Sequence, residues 1–198
     1  MIPMRKLLFI SLLAFICTAT ALPAGDVNDF RRGAAQGNDG AMSSLGWCYE
    51  HGDGVQKDVQ EAVKWYRKAA EKGHSGGQCN LGSCYERGVG VEKNAAEAVR
   101  WYRKAAEKGH KGGQCNLGSC YERGVGVEKN AAEAVKWYRK AAEQGHKGGQ
   151  YNLGRCYELG LGVEKDLNEA VRWYKAAAVQ RHKPAKDKLK ELGISTLD

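Results

Sequence analysis

The chain has 198 residues, with 31 Lys and Arg against 23 Asp and Glu, a formal net charge of +8 and seven cysteines. That length admits one domain or one short repeat array. The basic residues are interleaved with glutamate, as in Lys64, Arg67, Lys68 and Glu71, which describes a solvated helix face and not the basic block of a nucleic-acid binder; a mild preference for acidic partners is all the charge supports.

In chain order, Arg5 and Lys6 precede an apolar run from Leu7 to Ile16, and Ala19-Thr20-Ala21 places small residues at the −3 and −1 positions of a cleavage point. This predicts a secretory signal over 1–21, removed after Ala21, with an uncleaved anchor as the alternative. The run is too short for a permanent span, and no other stretch is apolar enough to cross a membrane. Bulky Phe15 and Ile16 before Cys17 do not suit lipid attachment. Residues 22–39 are expected to form an N-terminal capping segment, with Phe30 to Gln36 resembling a truncated helix of the units that follow.

From Gly40 onward the chain repeats itself. Leu45, Leu81, Leu117, Leu153 and Leu189 share one spacing, as do Tyr49, Tyr85, Tyr121 and Tyr157, then Trp65, Trp101, Trp137 and Trp173, then His74, His110, His146 and His182. The period is 36 residues and gives four units, 40–75, 76–111, 112–147 and 148–183. Units 76–111 and 112–147 differ only as Arg100 against Lys136 and Lys108 against Gln144.

Each unit predicts two helices, so the fold is expected to be all-α. In 76–111 the first helix runs roughly from Gly77 to Arg87, with Leu81, Cys84 and Tyr85 on one stripe. Gly82 allows close approach of a second helix, and Gly88 suits a left-handed helix end. Asn94 followed by Glu97 predicts a reciprocal capping box for the second helix, and Asp58/Glu61, Asn130/Glu133 and Asp166/Glu169 repeat it. Ala98, Val99, Tyr102, Ala105 and Ala106 form the inward face of that helix. One such hairpin cannot bury its apolar faces alone, whereas stacked copies can. Leu189 and Leu192 continue the pattern while Lys186, Lys188 and Lys190 turn it polar, so 184–198 reads as a C-terminal capping helix and tail.

The run Leu81-Gly82-x-x-Tyr85-x-x-Gly88-x-Gly90-Val91, followed by Glu97-Ala98-x-x-Trp101-Tyr102-x-Lys104-Ala105-Ala106-x-x-Gly109, resembles the Sel1-like repeat, a relative of the tetratricopeptide repeats. The resemblance covers about 40–183 and implies a right-handed α-solenoid (superhelix) of antiparallel helix pairs. It further implies an interaction scaffold whose first helices line a concave groove, and many bacterial members are secreted or envelope-associated. The expected function is therefore that of an exported, periplasmic or secreted, non-catalytic adaptor. It should bind a protein or peptide, acidic or bearing a free carboxylate, as a monomer and without cofactor or nucleic acid.

By analogy with tetratricopeptide arrays, the groove-lining positions are Ser44, Trp47 and His51; Asn80, Ser83 and Arg87; Asn116, Ser119 and Arg123; Asn152 and Arg155. Asn amides can hold a peptide backbone, Arg can clamp a carboxylate, and Trp47 can anchor an apolar group.

Other chemistry finds little support. The four periodic histidines follow helix ends on separate units, too far apart for one zinc ion, and are expected to be turn residues. The loop "GVGVEK" lacks the strand and the Lys-Ser/Thr pair of a phosphate cradle and reads as a linker. Cys79 and Cys84 lie on different sides of one helix, and no metal spacing is present. Two arrangements stay open: disulfides across unit boundaries, Cys48 with Cys79 and Cys84 with Cys115, or buried free thiols. Cysteine-rich secreted relatives place their paired cysteines elsewhere, where this chain has Ala70 and Ala106. Some have been credited with penicillin binding or β-lactamase activity, which makes a hydrolase the alternative function, but no S-x-x-K or K-T-G motif supports it.

Overall fold

The computed structural model describes residues 26–194, and the expected signal segment lies outside them. Among these residues there are ten helices and no strand: α1 (Val27–Ala35), α2 (Asp39–His51), α3 (Val59–Glu71), α4 (Ser75–Arg87), α5 (Ala95–Glu107), α6 (Lys111–Arg123), α7 (Ala131–Glu143), α8 (Lys147–Leu159), α9 (Leu167–Val179) and α10 (Lys183–Glu191). Every helix packs on its chain neighbours, forming the pairs α2–α3, α4–α5, α6–α7 and α8–α9. Successive first helices also touch, α2 with α4, α4 with α6 and α6 with α8, which places them along the inner side of the stack.

The core belongs to no single unit. Cys79 from α4, Ala98, Val99, Tyr102, Ala105 and Ala106 from α5, and Leu117 and Cys120 from α6 form one buried cluster. The same cluster recurs one unit on, around Tyr138, with Cys115, Leu153 and Cys156. Burying each such Leu stabilises by roughly 1.5–3 kcal/mol, and part of the cover comes from the next copy. Gly82 is required by the close approach: a Cβ there would lie 2.7 Å from Cδ1 of Tyr102 on the paired helix. Gly90, at φ +69°, lets the loop rest on the preceding unit, since a Cβ would lie 2.2 Å from the Val59 carbonyl oxygen. The expected linker is thus also a contact between units.

Helix ends follow the sequence with two corrections. Asn94 caps α5 as expected, its Oδ1 accepting from the Glu97 N–H at 3.0 Å. The box is not reciprocal, however. The Asn94 N–H donates to the Tyr85 carbonyl at 2.9 Å, which leaves the Glu97 carboxylate to pair with Arg100 at 2.9 Å. Secondly, His74, His110 and His146 are more than turn residues. Each is the N-cap of the next first helix, its Nδ1 accepting the N–H of Gly77, Gly113 or Gly149 at 3.0–3.1 Å. The first helices therefore begin earlier than the glycine pattern predicts, α4 at Ser75.

At the ends, Phe30 and Ala34 of α1 pack with Met42 and Leu45, and Ala185 and Leu189 of α10 close over Tyr174 and Ala177. Lys186 and Lys190 stay exposed, as a terminal surface requires.

Candidate functional site: the first-helix groove

The positions expected to line a groove lie on α2, α4, α6 and α8, the helices that touch one another along the stack. Ser44, Asn80, Ser83, Asn116, Ser119, Asn152 and Arg155 are half-buried, while Trp47, His51, Arg87 and Arg123 are exposed. What the structure changes is the state of the arginines. Arg87 pairs with Glu50 at 3.3 Å, Arg123 with Glu86 at 2.7 Å, and Arg155 with Glu122 at 3.3 Å, each glutamate on the preceding first helix. The same carboxylates accept the hydroxyls of Tyr66, Tyr102 and Tyr138 at 2.7–2.8 Å. At the end of the array Glu158 receives Tyr174 and Lys188 in the same way. The arginines expected to clamp a partner's carboxylate are thus engaged in a ladder that joins one unit to the next.

This ladder was not anticipated. Its signal was present in part, since each Glu precedes its Tyr by 16 residues, but the basic partner follows by 37 at Arg87 and Arg123, by 33 at Arg155 and by 30 at Lys188, a spacing that acquires meaning only once units are stacked. The asparagines also have partners: Asn116 and Asn152 donate long, weak bonds to the thiols of Cys79 and Cys115, at 3.7 and 3.9 Å.

The row of first helices differs at its two ends. At one, Trp47 is 39% exposed and stacks on His51 with ring centres 4.3 Å apart, the His51 Nδ1 lying 3.0 Å from the Trp47 carbonyl. At the other, Leu159 occupies the position held by His51, Arg87 and Arg123 in earlier units and is 56% exposed. It borders a recess of about 340 Å³ lined also by Tyr151, Arg155, Glu158, Pro184 and Lys188.

Of the two cysteine arrangements left open, the structure has the free thiols. Cys48, Cys79, Cys84, Cys115, Cys120 and Cys156 are buried free thiols. Cys84 packs around Tyr66 and Leu81, whereas Cys115 packs around Tyr138 and Leu153, so the two belong to different clusters. Burial pushes the thiols of Cys79, Cys84 and Cys156 up to about 12 and those of Cys115 and Cys120 to about 11. They remain protonated at neutral pH and are poor nucleophiles.

The repeating geometry agrees with the comparisons. The Sel1 repeat model matches residues 40–74, 75–110, 112–146 and 148–182, most of the chain. This chain belongs to the Sel1 repeat family. Sel1 repeat proteins are typically protein-interaction scaffolds and generally non-catalytic. A search of curated proteins found no match. Among solved structures, the chain is similar to a protective antigen present in uropathogenic Escherichia coli strains (36% identity, 86% of this chain and 38% of that one, TM-score 0.74). It is also similar to a Sel1 repeat protein from Oxalobacter formigenes (40% identity, 81% and 65%, TM-score 0.74). A third similar structure is the immunity protein Pa5087 from Pseudomonas aeruginosa (28% identity, 80% and 59%, TM-score 0.57). The Sel1 chain described here spans less than two thirds of the length of each. Among the described residues no helix is long and apolar enough to cross a membrane.

Proposed function

We propose that this Sel1 repeat chain is an exported, non-catalytic scaffold that binds a protein or peptide along its first-helix groove, through anchors at the two ends. The observation that carries this is the contrast along the groove. Arg87 and Arg123 are held by Glu50 and Glu86, while the exposed Trp47–His51 stack and Leu159 present apolar surface to solvent. Exposed aromatic side chains such as Trp47 supply a large share of the energy of protein interfaces, and Leu159 adds apolar area, whereas charges already paired add little. The spacing from α2 to α8 suits an extended segment or a protein edge, with Asn80, Asn116 and Asn152 between the anchors.

The test is co-purification from the native cell with the intact chain, with Trp47→Ala, with Leu159→Ala and with Arg87→Ala/Arg123→Ala. The expected result is a specific partner lost with either anchor variant and largely kept with the arginine pair replaced, all variants melting like the parent. A partner retained equally by both anchor variants would remove the groove ends from the function. Export is tested by cell fractionation and by sequencing the mature N-terminus, expected at Leu22.

A further inference from the structure

A second recess, of about 610 Å³, lies away from the groove where α3, α4 and α5 meet. Ala70 and Glu71 come from α3, Arg100, Trp101, Lys104 and Glu107 from α5 with Lys108 as its C-cap, and Gly73 and Gln78 lie between them. Gln78 is 3% exposed, and its Nε2 donates to the Ala70 carbonyl at 3.2 Å, but its Oε1 is buried without a partner. Trp101, 8% exposed, lines the same recess with its Nε1 likewise unpartnered.

The equivalent amides downstream are satisfied. Gln144 Nε2 donates to Gln114 Oε1, and Gln180 Nε2 donates to Gln150 Oε1, each at 2.8 Å. The residue at Gln144's position in the upstream unit is Lys108, whose Nζ instead donates to the Gly73 carbonyl at 2.7 Å. The two near-identical units differ at positions 100 and 108 alone, and both of these line the recess. The orphaned indole is less distinctive, since Trp65 and Trp173 share it; the orphaned amide oxygen is not shared by Gln114 or Gln150.

We propose that this recess is a binding site for an N-acylamino acid unit, the group found at the carboxyl end of a peptide and in free N-acylated amino acids. A buried acceptor left unpartnered carries a desolvation penalty that a ligand N–H would relieve. An amide supplies that N–H for Gln78 Oε1 and, from the same rigid group, a carbonyl for Trp101 Nε1. Arg100 is paired with Glu97, and Lys104 and Lys108 stand at the opening beside Glu71 and Glu107, so that either ammonium can receive a carboxylate next to the amide. A simple anion such as phosphate lacks the N–H and would set negative charge against the Gln78 oxygen. The volume is within the ordinary range for small-ligand sites, roughly 300–1,000 Å³.

The test is calorimetric titration of the full chain with N-acetylglycine, N-acetyl-Gly-Gly, the carboxamide of N-acetyl-Gly-Gly, and inorganic phosphate. The acylated acids should bind at one per chain, and the carboxamide at least tenfold more weakly. N-acetyl-Gly-Gly binding more tightly than N-acetylglycine indicates a peptide end as the source; equal binding indicates a free small molecule. Lys108→Gln places at this joint the side chain that fills the next one, so it should abolish binding while raising the melting temperature. Lys136→Arg/Gln144→Lys, which makes the third unit match the second, should raise the stoichiometry to two. The proposal fails if no acylated acid binds, if phosphate binds as well, or if Lys108→Gln leaves binding unchanged. Binding lost with Trp47→Ala instead would assign the ligand to the groove and overturn this site while leaving the proposed function standing.

Discussion

The joint between the first and second units and the joint between the second and third are built from almost the same letters, yet they end in different states. Both bury a Gln in the first turn of a first helix, and both tie its Nε2 to a carbonyl ending the preceding second helix, Ala70 or Ala106. Downstream, Gln144 reaches across to the amide oxygen of Gln114 and closes the joint. Upstream, the Lys108 ammonium donates to the Gly73 carbonyl instead and leaves the Gln78 oxygen without a partner. One side chain therefore separates a closed joint from an open one on an otherwise shared frame. A repeat array can differentiate a single joint in this way without altering the core that holds it, because contacts of core and edge involve different residues.

The largest expected effects concern what the two joints have in common. Gly82→Ala and Gly118→Ala each drive a methyl to within 2.7–2.8 Å of a Tyr ring carbon. Each should cost about 1–3 kcal/mol, and the two costs should match within error in chemical denaturation. Unequal costs would mean the frames are not equivalent. Next, Gln144→Ala should cost about 1–3 kcal/mol by orphaning the Gln114 oxygen, whereas Lys108→Ala should cost far less, since the Gln78 oxygen has no partner to lose.

A third effect is pH-dependent and sharpens the comparison along the histidine caps. The caps work only with a neutral Nδ1, and burial holds the pKa of His110 and His146 below the ordinary 6.5. The unfolded chain then binds more protons between those lowered values and 6.5. Stability from the caps is thus complete above pH 6.5 and is lost as pH falls through the folded values. The denaturation midpoint should drop from pH 7.5 to pH 5, and His110→Asn/His146→Asn, which caps without titrating, should flatten that drop. A slope that persists undiminished would assign it to other groups.

The smallest effect is at the ladder. Arg123→Ala should cost no more than about 1 kcal/mol, because the Arg123 side chain is 52% exposed and solvent screens the pair. Equally modest in stability terms, the six buried thiols should resist alkylation in the folded chain at pH 7.5 and react once it is unfolded.

Much of the frame was legible before any coordinates. The recurrence of Leu81, Gly82, Tyr85 and Tyr102 at one period announces helix pairs that must stack, because the apolar faces have no other cover. Asn94 and its counterparts announce where second helices begin, since capping is a local contact over three residues. The histidine caps were less visible because His seldom serves in that role, and its neighbouring glycines suggested only a turn.

For the groove, Trp47 and the polar positions of α4, α6 and α8 were expected by analogy with tetratricopeptide arrays, and the structure places them on the first helices. The sequence could not say that Arg87 and Arg123 are already engaged, nor that Leu159 stands exposed beside a recess. By itself, then, the chain's sequence determined the period, the two helices in each unit and the residues facing inward, because helical spacing and capping act over a few positions. The tertiary structure alone decided which charges are paired and which buried amide stays unanswered, because these depend on side chains about 30 residues or more apart meeting across stacked units.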